Sequence, residues 1–143
     1  MKIKKSWNIL LIDDDQDEFI LLNDMVESIQ ERTVHLKWVN SSLLGLKEVQ
    51  GHRYDAVLVD FNLGGKKNGL DFIQEVRSGD HSLPLILYTG SDDRTLFLRA
   101  YADGASFFLS KASTNAQVLW QILHCLIEPD YDSNLRDLDF STF

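Results

Sequence analysis

Residues 10–19 read LLIDDDQDEF, three apolar residues running straight into Asp13, Asp14 and Asp15. Extended backwards, the stretch becomes WNILLI (7–12), the short apolar pattern of a strand covered on both faces. Such a strand should not end in adjacent carboxylates unless something neutralises them, either a retained proton or a bound cation. Similar endings recur along the chain. DAVLVD (55–60) closes on Asp60, LPLILYTG (83–90) closes on Thr89-Gly90, and SFFLSK (106–111) closes on Ser110-Lys111.

The segments between these runs have helical spacing. QDEFILLNDMVESIQER (16–32) places Phe19, Leu22, Val26 and Ile29 on one stripe, and SSLLGLKEVQG is a shorter helix ended by Gly51. LDFIQEVRSG and DDRTLFLRAYADG supply two more helices. TNAQVLWQILHCLIE supplies the last, with Leu119, Ile122, Leu123 and Leu126 inward and capping-box spacing at Thr114 and Gln117. VHLKWV (34–39) alternates, with Val34, Leu36 and Trp38 on one side, as a half-exposed edge strand does. Five β–α pairs with short links predict an α/β fold, a doubly wound five-stranded parallel sheet with helices on both faces.

The bulk numbers bound the function. A chain of 143 residues, 44% hydrophobic and 25% charged, fits one domain with a full core. No apolar run could span a bilayer. The basic KIKK near the start is followed by too short an apolar segment for a secretory signal, so the cytoplasm is the expected location. A net charge of −8 argues against direct nucleic-acid binding. Cys125 is the only cysteine and reads as a small apolar residue on a helix. His35, His52, His81 and His124 form no phosphodonor pattern and read as structural or solvent-facing.

In a doubly wound sheet, ligands bind beyond the carboxyl ends of the strands, where the strand order reverses. Asp13, Asp14, Asp60, Thr89 and Lys111 all fall at such ends. An oxygen-rich cluster without cysteine or an inward histidine suits Mg²⁺, which takes one or two carboxylates and leaves another for chemistry. Asp60 can then act as a nucleophile forming an acyl phosphate, with Thr89 and Lys111 offering a hydroxyl and a point charge to phosphoryl oxygens. In the empty site Lys111 is expected to pair with Asp60. The competing account of Asp13, Asp14 and Asp15 is a plain helix cap, with Asp15 and Asp17 as solvated first-turn acids. What sets the cluster apart is that separate strand ends supply complementary groups.

With ILLIDDD, YDAVLVDFNLGG…NGLDFI, LPLILYTG and DGASFFLSKAS in this order over residues 8 to 128, the chain resembles the receiver domains of response regulators in two-component signalling. The resemblance implies a flavodoxin-like sheet of order 2-1-3-4-5. It implies that Asp60 is the phosphoacceptor and that Asp13 and Asp14 organise Mg²⁺ together with Asp60 and the backbone carbonyl of Asn62. Thr89 matches the switch hydroxyl, Lys111 the family's lysine, and Phe108 the switch aromatic that turns inward on phosphorylation. The implied partner is a sensor histidine kinase or a histidine phosphotransfer protein. The chain would be no enzyme beyond its own phosphorylation and slow dephosphorylation. Receivers usually carry a proline after this lysine. Ala112 stands there instead, and a trans Lys111–Ala112 bond is expected.

Two other functions fit the same pattern less well. A binding module of this fold that never takes phosphate would not need every reactive group. An aspartyl-phosphate hydrolase of the dehalogenase type would place an acid two residues after its nucleophile, where this chain has Asn62. Residues 1–128 are the expected receiver unit, and 129–143 a C-terminal tail or the start of a linker. A weak homodimer is expected through the fourth helix, fifth strand and fifth helix, using Leu98, Tyr101, Ala102, Phe107 and Val118, with Arg94, Arg99 and Asp103 pairing across a two-fold axis.

Overall fold

The computed structural model describes residues 6–129. The elements run β1 (Ser6–Ile12), α1 (Gln16–Glu27), β2 (Thr33–Val39), α2 (Ser42–Gly51), β3 (Ala56–Val59), α3 (Gly69–Arg77), β4 (Leu85–Thr89), α4 (Arg94–Ala102), β5 (Phe107–Ser110), a 3-10 turn (Lys111–Ser113) and α5 (Ala116–Ile127). The five strands form one sheet in the order β2-β1-β3-β4-β5 with every pair parallel, as expected. The tail expected at 129–143 lies outside the described residues apart from Pro129.

Strand alternation sends the apolar side chains to two cores. Leu10, Ile12, Val57, Val59, Leu85 and Leu87 meet Leu70, Phe72 and Ile73 of α3 and Leu96 and Ala100 of α4. On the other face, Ile9, Leu11, Leu58, Ile86 and Tyr88 meet Leu22 and Val26 of α1 and Leu119, Ile122 and Leu123 of α5. The central strands are buried on both sides, which is why they read as continuous apolar runs. β2 lies at the sheet edge and alternates between exposed and half-buried positions, as its sequence predicts.

Two local expectations need correction. The first helix stops at Glu27 rather than running to residue 32. The Ser28 hydroxyl donates to the Met25 carbonyl at 2.7 Å, a local bond that competes with continuing the helix. Ile29 still buries just beyond the end. At α5 the cap is Asn115, whose side chain accepts from the Val118 N–H at 2.9 Å, and no Thr114–Gln117 box forms. Thr114 instead donates its hydroxyl to the Ser110 carbonyl at 2.6 Å, fastening the end of β5.

Far from the acidic strand ends, a buried carboxylate ties α5 to the sheet. Glu128 accepts from the Trp7 indole at 3.0 Å and from the Arg32 guanidinium at 3.0 and 3.2 Å. The Arg32 guanidinium lies over the rings of Trp7 and Trp120, which stack on each other and, through Trp120, on His124. Removing one member of a buried ion pair leaves the other with its desolvation uncompensated. Glu128→Ala is therefore expected to cost about 2–4 kcal/mol of stability, measured by urea denaturation. Glu31→Ala, at an exposed position, should change little.

Candidate functional site

The register brings the acidic strand ends together. Ile12 pairs with Val59, so Asp13 and Asp60 leave adjacent strands at the same level, where the strand order switches between β1 and β3. Thr89 pairs with Ser110, which places Lys111 one step beyond Thr89. Main-chain bonds hold both acids at the last rungs: the Asp60 N–H donates to the Ile12 carbonyl at 3.0 Å, and the Asp13 N–H to the Val39 carbonyl at 3.2 Å.

Asp13 is fully buried and Asp60 is 8% exposed, whereas Asp14 faces solvent. Oxygens of Asp13, Asp14 and Asp60 all lie within 4.8 Å of one another. Lys111 Nζ contacts Asp13 Oδ2 at 2.8 Å and Asp60 Oδ2 at 3.2 Å. The lysine thus pairs with Asp60 as expected, but sits closer to Asp13. The other oxygen of Asp60, Oδ1, is buried and accepts no hydrogen bond. Burial pushes the Asp13 carboxyl above its ordinary value, against the lowering effect of its Lys111 hydrogen bond. For Lys111, burial acts to lower the pKa, but the Asp13 hydrogen bond and the charges of Asp60 and Asp13 outweigh it and hold the ammonium up. These are hard oxygen donors around one buried unpaired oxygen, and they fit a small divalent cation.

The other predicted residues fall around this cluster. Thr89 is almost fully buried, with its hydroxyl 3.5 Å from the Ser91 N–H. Asn62 is exposed on the loop after β3. Phe108 already lies inward here, unlike the outward start that the expected inward turn implies; it is edge-on to Phe97 at 5.5 Å, and its backbone N–H donates to the Tyr101 hydroxyl at 3.1 Å. No cis peptide bond occurs among the described residues, so Lys111–Ala112 is trans as expected. Asp15 proves to be the cap of α1, accepting from the Asp17 N–H at 2.9 Å, while its own N–H donates to Asp13 Oδ1 at 3.0 Å. The cap thus helps aim Asp13.

Three contributors escaped sequence reasoning. Trp38 donates its indole N–H to the Asp13 carbonyl at 2.7 Å, a cross-strand bond with no sequence signature. Glu18 lies 3.6 Å from Lys111 Nζ, and its place in the first turn after the Asp15 cap was the available cue. Gly69 opens α3 directly beneath Asp60, where a β-carbon would lie 2.2 Å from the Asp60 carbonyl oxygen. The Asn-Gly pair before a helical run marks that position.

The geometry agrees with comparisons to known proteins. ComA of Bacillus subtilis, a transcriptional regulatory protein, is 26% identical over 118 residues, covering 82% of this chain and 55% of ComA. QseB of Haemophilus influenzae, also a transcriptional regulatory protein, is 27% identical over 110 residues, covering 77% of this chain and 48% of QseB. The chain therefore spans about half the length of the curated relatives it matches. A solved response regulator from Chloroflexus aurantiacus superposes with a TM-score of 0.77 at 21% identity, covering 86% of this chain and 98% of that one. The receiver domain of the sensor histidine kinase PA1611 from Pseudomonas aeruginosa, solved with a magnesium ion in its active site cleft, gives 0.74 at 22% identity over 85% of this chain and 98% of its own. The sequence profile of the response regulator receiver domain matches residues 9–123. With that match and the 2-1-3-4-5 sheet, the chain belongs to the response regulator receiver domain family.

Proposed function

We propose that Asp60 is the phosphoacceptor of this receiver, taking a phosphoryl group from a phosphohistidine on a sensor histidine kinase or a histidine phosphotransfer protein. The observation that carries this reading is the state of Asp60: buried, one oxygen paired to Lys111, the other buried and unpaired, with Asp13 and Asp14 alongside. The unpaired oxygen attacks phosphorus, an acyl phosphate forms, the P–N bond breaks, and the electron pair leaves with the imidazole nitrogen. Lys111 moves from the carboxylate to a phosphoryl oxygen, and the Thr89 hydroxyl donates to another. Asp13, Asp14, Asp60 and the Asn62 carbonyl are the groups that would hold Mg²⁺, which supplies charge neutralisation at the phosphoryl oxygens when bound. Such transfer is chiefly positioning and electrostatics, so the receiver needs no general base. Asn62 places no acid to hasten hydrolysis, and the phosphoryl group is lost slowly to water. Phe108 and Thr89 form the switch that passes the change to the α4–β5–α5 surface.

We take residues 1–128 as the receiver unit and 129–143 as a tail or the start of a linker, acting in the cytoplasm. Among the described residues, no helix is long and apolar enough to cross a membrane. The test is incubation with acetyl phosphate and Mg²⁺. One phosphoryl group per chain, held rather than turned over, is the expected result, and continuous release of phosphate would point to a hydrolase. Mg²⁺ alone is expected to shift the amide resonances of Asp13, Asp14, Asp60 and Asn62.

Assembly gives a further prediction. Leu98, Tyr101 and Phe97 are exposed on α4 at 67%, 39% and 42%, beside exposed Arg94, Arg99 and Ala102 and half-buried Asp103, Phe107 and Val118. Both charge signs around an apolar centre suit a self-complementary two-fold contact. A weak dimer strengthened by BeF₃⁻ with Mg²⁺ is expected in analytical ultracentrifugation. A monomer in both states at high concentration rejects it, and a dimer unaffected by Arg99→Glu assigns it to another face.

A further inference from the structure

We propose that Glu18 is a positioning residue for phosphoryl transfer, holding Lys111 on its α1 side so that the lysine engages only one oxygen of Asp60. The inference rests on the phosphoacceptor reading of Asp60 and adds a residue to it. Lys111 Nζ faces three carboxylates, Asp13 at 2.8 Å, Asp60 at 3.2 Å and Glu18 at 3.6 Å. On another side it lies over the ring of Tyr88, 5.6 Å from the centroid. Asp13 and Asp60 belong to the cluster that fits a metal, but Glu18 does not. Glu18 therefore remains a counter-charge for the lysine when the other two carboxylates turn to a cation.

The local chain explains how Glu18 comes to be there. The Asp15 N–H donates to Asp13 Oδ1, and the Glu18 N–H donates to the Asp15 carbonyl at 3.1 Å. One turn of backbone thus fixes both Asp13 and Glu18 relative to the lysine. The Glu18 side chain is 27% exposed and Lys111 14%, so the pair closes the α1 side of the site while staying wet enough to rearrange. Without Glu18, the full charge of Lys111 falls on Asp13 and Asp60, the carboxylates a metal and a phosphoryl group must use. A lysine bound more tightly there competes with the metal and with the nucleophile.

A double-mutant cycle tests the inference. Mg²⁺ affinity is read from amide shifts, and phosphorylation rate from acetyl phosphate uptake, in wild type, Glu18→Gln, Lys111→Met and the double variant. Asp17→Asn, an exposed acid one residue away, controls for general loss of negative charge. Glu18→Gln is expected to weaken Mg²⁺ binding and slow uptake by about threefold to fivefold. Asp17→Asn should cost less than about twofold. In the Lys111→Met background the Glu18 effect should fall to the Asp17 level. Equal effects of Glu18→Gln and Asp17→Asn, or an undiminished Glu18 effect without the lysine, would overturn the assignment. Absence of Mg²⁺ binding and phosphoryl uptake in the wild type would instead overturn the phosphoacceptor reading. In that event the same cycle on the thermal stability of the metal-free protein decides whether Glu18 holds Lys111, and additive changes there would reject even that.

Discussion

Asp60→Asn is expected to cut phosphoryl uptake from acetyl phosphate to below about one-hundredth of the wild-type level while the fold survives. An amide is isosteric with the carboxylate but offers no anionic oxygen to attack phosphorus. The fold should survive because the main-chain bond from Asp60 to Ile12 does not depend on the side chain, and Lys111 keeps Asp13 and Glu18 as counter-charges. Oxygens of Asp13, Asp14 and Asp60 lie within 4.8 Å of one another, and Lys111 contacts only Asp13 and Asp60 of the three, so removing one charge also relieves repulsion. The metal-free variant should gain up to about 1 kcal/mol of stability in urea denaturation. The stabilisation that added Mg²⁺ confers on the wild type by binding the native state should shrink in the variant. Equal labelling of wild type and Asp60→Asn would place the phosphoacceptor elsewhere.

The fold was legible because its decisive signals are local. Runs such as WNILLI, DAVLVD and LPLILY have the pattern of strands buried on both faces, and their alternation with helical stripes is what selects a parallel sheet with crossovers. The candidate site was legible for a related reason: a polar residue at or directly after the end of a buried strand sits where the sheet opens, as Thr89 at the end of β4 and Asp13, Asp60 and Lys111 just past their strands do. Contacts made across the fold were not legible. Nothing in VHLKWV says that Trp38 bonds the Asp13 carbonyl, and nothing in the last helix says that Glu128 meets Trp7 and Arg32. The cap of α5 was not legible: the spacing points to Thr114, but its hydroxyl is engaged on the Ser110 carbonyl, and its neighbour Asn115, equally competent as a cap, takes the place. The order of charges around Lys111 depends on ångström differences that spacing cannot encode.

Gly69→Ala is expected to be the most damaging small substitution near the site, costing about 2–4 kcal/mol. The glycine is not needed here for an unusual backbone angle, since the positive-φ glycines among the described residues are Gly64 and Gly104. It is needed for space. A β-carbon on Gly69 would lie 2.2 Å from the Asp60 carbonyl oxygen, 2.9 Å from its carbon and 3.1 Å from a Leu87 methyl. The first two are backbone atoms at the end of a buried strand and cannot swing aside like a side-chain tip. Relief must come from moving the start of α3, which the Gly69 N–H bond to the Phe61 carbonyl at 2.9 Å and the reciprocal Asn68–Asp71 cap oppose. The alternative is to move Asp60 itself. Either shift displaces Asp60, the proposed phosphoacceptor, relative to Asp13 and Lys111, so uptake of phosphate should slow in the fraction that remains folded. Gly65→Ala is the internal control: it lies in the loop leading into α3 with nothing within 4 Å of its β-carbon position, and should change stability by less than about 0.5 kcal/mol. Urea denaturation of both variants, with acetyl phosphate uptake measured under native conditions, gives the comparison. A Gly69→Ala protein as stable as Gly65→Ala would show that the close approach of α3 to the Asp60 carbonyl is not what holds Asp60 in place.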